Sequence, residues 1–120
     1  ESAMYGLGAP EGRAGWPVAA PTVGVLSLRD LSLSVSESRN RAGDPHIVDP
    51  RFGRVIREER TAVAVSPSAT DADVITTALI VQPGLASALE MAYRGARFAV
   101  MTNTEIAYMD RSLASNVTKK

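Results

Sequence analysis

The chain has 120 residues, 45% of them hydrophobic, which suits one small domain with one core. Thirteen Lys and Arg balance thirteen Asp and Glu, leaving no broad basic field for nucleic acid or an anionic membrane, so any bound anion has to be held locally. The absence of cysteine excludes disulfides, thiolate metal sites and cysteine nucleophiles, and no apolar run approaches the ~20 residues of a membrane span.

In chain order, SAMYGLG (2–8) reads as a short strand ending in glycines, APEGRAG (9–15) as a turn-rich connection, and WPVAAP (16–21) as an extended piece bounded by prolines. Residues 23–36, VGVLSLRDLSLSVS, alternate apolar and small polar side chains around Arg29-Asp30. That pattern predicts two strands joined by a tight turn, each with one buried face. ESRNRAGD (37–44) is a charged loop, RVIREER (54–60) a charged run, and TAVAVSP (61–67) a further strand stopped by Pro67. The period then changes. Residues 68–82 carry apolar side chains at 72, 75, 78, 79 and 81, a helical spacing closed by Pro83-Gly84. Residues 85–95 predict a second helix with Leu85, Leu89, Met91 and Ala92 inward and Gly95 as its C-cap. Residues 96–110 predict a hairpin turning near Thr102-Asn103, before a tail without pattern. Strands, a helix pair and strands again define an α+β fold with a mainly antiparallel sheet and the helix pair packed on it.

Four stretches invite a chemical reading. GLGAPEG has glycines at 6, 8 and 12 and Glu11 where a dinucleotide-binding loop wants its third glycine; with no helix after it, it reads as a turn. Asp73 and Thr77 stand four apart near the predicted helix start, so their side chains share a face close to the positive end of the helix dipole. A carboxylate and a hydroxyl so placed make a partial Mg²⁺ shell; equally, Thr70 with Asp73 approximates a capping box, and Thr77 can bond its own backbone. His46, the one histidine, lies in DPHIVDPRFG (44–53). It is either an exposed loop residue, or an imidazole held towards a ligand, with the backbone of Ile47, by the stiffening prolines 45 and 50. NVT (116–118) matches a glycosylation acceptor.

In order and spacing, HIVDPRFG (46–53), the strand TAVAVSP and ADVITTALIV (72–81) resemble the ApbE family of FAD:protein FMN transferases, whose motifs read H-I-[IV]-D-P-x-[TS]-G and A-D-A-L-[AS]-T-A-L-F-V. Upstream, LSLRD (26–30) is similar to the family's VSLRD, and residues 2–21 look like the strand and loop before it. The resemblance runs from about residue 2 to 112 and covers the C-terminal half of the family's domain, so residues 1–112 are expected to form that part and 113–120 a tail. Phe52 stands where the family has Thr or Ser, Val74 where it has Ala, SES (36–38) where its turn is more glycine-like, and Glu1-Ser2 where it often has two glycines.

The resemblance implies an Mg²⁺-dependent transferase. FAD is the substrate, its FMN is esterified to a Thr or Ser of an acceptor flavoprotein, and AMP leaves. Asp73 and Thr77 fall on the family's metal ligands, with Thr76 beside them as a further contact. His46 falls on the motif histidine at the flavin, where it orients the ring or deprotonates the acceptor hydroxyl, and Ile47 on the residue whose main chain lies against the isoalloxazine. The N-terminal half of the family's domain is the further partner the site calls for, and surface that would face it can drive self-association. Two other readings of the same residues are a non-catalytic binding module and an FAD pyrophosphatase that uses water in place of the protein hydroxyl. Family members are often bacterial proteins lipid-anchored on the periplasmic side of the inner membrane; these residues themselves carry no localisation signal.

Overall fold

The computed structural model describes residues 2–20, 23–102, 105–109 and 113. The turn at Asn103, the NVT tripeptide and nearly all of the tail lie outside them. The strands are β1 (Ser2–Gly6), β2 (Trp16–Ala20), β3 (Gly24–Leu28), β4 (Leu31–Glu37), β5 (Val48–Asp49), β6 (Arg54–Val55), β7 (Arg60–Ser66), β8 (Arg97–Thr102) and β9 (Glu105–Met109). Between β7 and β8 lie helices α1 (Ala69–Val81) and α2 (Ala86–Ala92), joined by a 3-10 turn at Pro83–Leu85. A five-stranded sheet in the order β1-β4-β7-β8-β9 is antiparallel throughout, and the helices pack on it, which makes the fold α+β. Two small antiparallel hairpins, β2–β3 and β5–β6, stand beside it. Among the described residues no helix is long and apolar enough to cross a membrane.

The sheet is covered on both faces. Ala62, Ala64, Phe98 and Val100 point towards the helices and meet Ala72, Ile75, Leu79 and Ile80 of α1. The alternate residues Leu33, Val35, Val63, Val65, Ala99 and Met101 point the other way and meet Leu26 and Leu28 of the β2–β3 hairpin, with Leu113. Small side chains on the helix side of β7 let α1 sit close, and larger ones fill the hairpin side.

This arrangement corrects the expectation for residues 23–36. Two strands form, with Asp30 in the left-handed region (φ 53°) at the turn between them, but they do not pair with each other. β3 pairs with β2, whereas β4 pairs with β1 and β7, so the turn carries the chain from the outer hairpin into the main sheet. β4 consequently has two buried faces rather than one, and its serines 32, 34 and 36 are interior.

The glycine-rich stretch forms the expected turn, with Gly8 and Gly12 at φ 61° and 76°, and its first glycine is set by packing. Gly6 ends β1 against β3, where an added Cβ would fall 2.7 Å from Leu28 Cβ and 2.9 Å from Leu28 O. The Gly8 N–H donates to Asp30 Oδ1 at 2.8 Å, and Trp16 Nε1 donates to the Leu7 carbonyl at 2.8 Å. The second helix also differs from its expectation: it spans only seven residues, Tyr93 rather than Gly95 is its C-cap, Met91 is 75% exposed and Ala92 is exposed. The 3-10 turn takes up Leu85 and rotates the phase of α2, so Ala86 and Leu89 make the inward contacts.

Candidate functional site

The site region is built from α1 and the β5–β6 hairpin. Ser68 is the N-cap of α1, its hydroxyl accepting from the Asp71 N–H at 3.1 Å, and Ser66 Oγ accepts from the Ser68 N–H at 3.1 Å. The cap is therefore Ser68 with Asp71 in the first turn, not Thr70 with Asp73, because the helix starts two residues earlier than that pairing needs. Asp73 is thereby released from capping and stands exposed in the second turn, with Thr77 exposed one turn further along.

Thr76 lies on the opposite face. It is fully buried and its hydroxyl is enclosed by three partners: Ser36 Oγ donates to it at 2.9 Å, Ser34 Oγ lies 3.1 Å away, and it donates to the Asp73 carbonyl at 3.2 Å. These bonds fasten α1 to β4. Two hydroxyls adjacent in sequence thus have different surroundings, with Thr76 in the interior and Thr77 facing solvent.

DPRFG is the turn of the β5–β6 hairpin, in which Val48 pairs with Val55 and Asp49 with Arg54. Asp49 organises it. Its carbonyl accepts the N–H groups of Phe52 (3.3 Å) and Gly53 (2.9 Å), and its Oδ1 accepts the Arg51 N–H at 2.9 Å. Its carboxylate also takes Arg51 Nε at 3.1 Å and Nη2 at 2.8 Å, a forked pairing of the strong kind. Hydrogen bonding from the Arg51 side chain, outweighing partial burial, holds the Asp49 carboxyl below the usual carboxylate range, and the pairing raises Arg51 in turn. Gly53 closes the turn at φ 64°, where a side chain would be strained. Arg51 Nη1 donates to Gln82 Oε1 at 2.8 Å, and Arg60 Nη1 donates to the carbonyls of Ile80 (2.7 Å) and Val81 (3.2 Å). Arg60, from β7, ties the sheet to the C-terminal end of α1, where cations are favoured, and Arg51 holds the hairpin turn beside it.

A groove of about 550 Å³ results, lined by Pro50, Arg51, Asp73, Thr77 and Gln82 with apolar contributions from Val74 and Leu85. Asp73 and Thr77 meet there, while Thr76 and His46 are not part of the lining. Among the described residues no hydrogen bond or ion pair takes up the Asp73 carboxylate or the Thr77 hydroxyl. His46 is exposed and tied back to the end of β4: its N–H donates to the Ser38 carbonyl at 3.2 Å, and Nε2 lies 2.8 Å from the Glu37 carbonyl. A carbonyl only accepts, so Nε2 carries the proton in this bond, and in the neutral ring the lone pair is on Nδ1. Ile47 packs on the helix-side core, and its carbonyl accepts the Ile56 N–H at 2.8 Å.

Sequence reasoning missed Ser34, Ser36 and Arg51. The serines carried a signal, since a run of alternating small hydroxyls opposite a helix with an inward threonine is a way to join strand and helix by polar contacts. Arg51 had none, because its value depends on the turn that Asp49 makes. Compared with protein-family models and with curated proteins, the chain finds no match.

Proposed function

We propose that this chain is the magnesium-holding part of an FAD:protein FMN transferase of the ApbE kind. The reaction moves FMN from FAD to a Thr or Ser hydroxyl of an acceptor flavoprotein: the hydroxyl oxygen bonds to the FMN phosphorus, the bond from that phosphorus to the AMP oxygen breaks, and the hydroxyl proton passes to a base. The observation that carries the reading is the pairing of Asp73 and Thr77 in one groove, with the helix cap supplied elsewhere by Ser68.

The donor set fits the ion. Mg²⁺ binds hard oxygen ligands, keeps several waters and shares substrate phosphates, using one or two protein carboxylates rather than a closed cage. One carboxylate and one hydroxyl on a solvent-facing groove meet that need. When bound, Mg²⁺ neutralises charge on the pyrophosphate. Asp73 and Thr77 hold it, and the Ser34, Ser36 and Thr76 bonds keep the helix face that carries them in place. The Nδ1 lone pair of His46 suits the proton of the acceptor hydroxyl or a hydrogen bond from the flavin. Ile47, next to it, is anchored on the helix-side core. A flavin needs cover on both faces to bind tightly, and the N-terminal half of such a domain is what would supply the second.

The test is a titration of FAD into the 120-residue chain with and without Mg²⁺, alongside Asp73→Ala, monitored by flavin fluorescence. We expect binding weaker than micromolar that requires Mg²⁺ and is lost in the variant. Binding indifferent to both Mg²⁺ and the substitution contradicts the reading.

A further inference from the structure

Sharing Arg51 and Val81 with the Asp73 groove is a second cavity of about 380 Å³. Its charged lining is four arginines (51, 54, 57 and 60) against two carboxylates, Asp49 and Glu58. Two of the arginines are spoken for. Arg51 is paired with Asp49 at 2.8 Å, and Arg60 lies 3.9 Å from Glu58 while donating to the end of α1. Among the described residues the guanidinium groups of Arg54 and Arg57 have no carboxylate partner, so the cavity carries a surplus of two positive charges.

The remaining wall is apolar: Phe52, Val55, Ile56 and Val81. Phe52 is 63% exposed, with the guanidinium carbons of Arg51 and Arg54 at 5.2 and 5.6 Å from its ring centroid. This attraction holds two cations beside an open aromatic surface.

We propose that this cavity binds an organic phosphomonoester. Such a group carries about −1.5 to −2 charge at neutral pH, matching the two guanidinium groups without a carboxylate partner, whose planar fork suits phosphate oxygens. A monocarboxylate would neutralise only one of them. The volume falls in the range of small-molecule sites and exceeds what a bare phosphate fills, and the apolar wall gives the organic part a surface. The inference stands without the transferase reading, since it uses neither Asp73 nor a metal.

The test tracks amide and arginine Nε resonances of the ¹⁵N-labelled chain during titration with phenyl phosphate, inorganic phosphate and phenol. Phenyl phosphate is expected to shift residues 52–57 saturably and more tightly than inorganic phosphate, and phenol to leave them unmoved. Arg54 and Arg57 are exposed, so Arg54→Gln with Arg57→Gln is expected to fold and to weaken binding by about tenfold or more; Phe52→Ala is expected to weaken phenyl phosphate and spare inorganic phosphate. The phenyl phosphate shifts are expected to be the same in Asp73→Ala and without Mg²⁺, since Asp73 does not line this cavity. The proposal is overturned if no titration saturates, if the double variant binds as well as the parent, if inorganic phosphate binds as tightly as phenyl phosphate, or if the shifts depend on Asp73.

Discussion

Thr76 and Thr77 are neighbours on one helix, yet one is enclosed by Ser34, Ser36 and the Asp73 carbonyl while the other opens onto a groove with Asp73 and Arg51. The inner face of α1 uses its hydroxyl to fasten the helix to β4, and the outer face leaves its oxygen atoms available. A threonine becomes structural or available for a ligand according to which way the helix rolls, and a single residue of phase decides it.

The largest effect expected from this contrast is on stability at the inner face. Thr76→Val removes the acceptor that Ser34 and Ser36 share and leaves both hydroxyls buried, so a loss of about 2–3 kcal/mol is expected by urea denaturation. Thr77→Val, at an exposed position, should stay within about 0.5 kcal/mol. Equal costs for the two would erase the distinction.

A smaller effect separates the serines of β4. Ser36→Ala removes one bond to Thr76 and should cost about 1 kcal/mol. Ser32 is buried with no hydrogen-bond partner for its hydroxyl among the described residues, so Ser32→Ala should be neutral within about 0.5 kcal/mol or slightly stabilising. A Ser32→Ala cost as large as that of Ser36→Ala would show that the polar fastening of α1 extends along the whole strand.

The smallest effect is on the pH dependence of the hairpin turn beside the outer face. The Asp49 carboxyl is held below its ordinary value, chiefly by the Arg51 side chain. The turn's contribution is therefore complete above the unfolded-state value and is lost as pH falls through the lower folded-state value. Amide shifts of residues 49–53 should move in that acid range, and in Asp49→Asn the turn should be loosened already at neutral pH. Acid titration of the amides that is the same in Asp49→Asn as in the parent would contradict the role given to this carboxylate.

Much of the fold was legible because the hydrophobic period changes where the elements change. β7 is a short unbroken apolar run, Ala62 to Val65, of strand length, and α1 repeats Ala72, Ile75 and Leu79 at helical spacing. The illegible part depended on a third layer. Period two in β4 reads as one buried face, since serines opposite leucines look like a solvent side; only the packing of α1 over Ser34 and Ser36 makes them interior. The end of α1 was legible from Pro83-Gly84, but the 3-10 turn they form was not, and it is this turn that sets Met91 outward. In the candidate site the spacing of Asp73 and Thr77 was visible, whereas the cap that frees Asp73 stands two residues before the expected one and the clamp of Asp49 on Arg51 depends on the geometry of the turn between them.

The most direct measurement is to locate a divalent ion on the folded chain, with Mn²⁺ substituted for Mg²⁺ and line broadening read across the amide spectrum. Broadening strongest around residues 73–77, removed by Asp73→Ala and reversed by Mg²⁺, is the predicted result. Broadening centred on other carboxylates such as Glu58 or Glu90, or unchanged in Asp73→Ala, would contradict the assignment of the outer face of α1 as the metal-holding site.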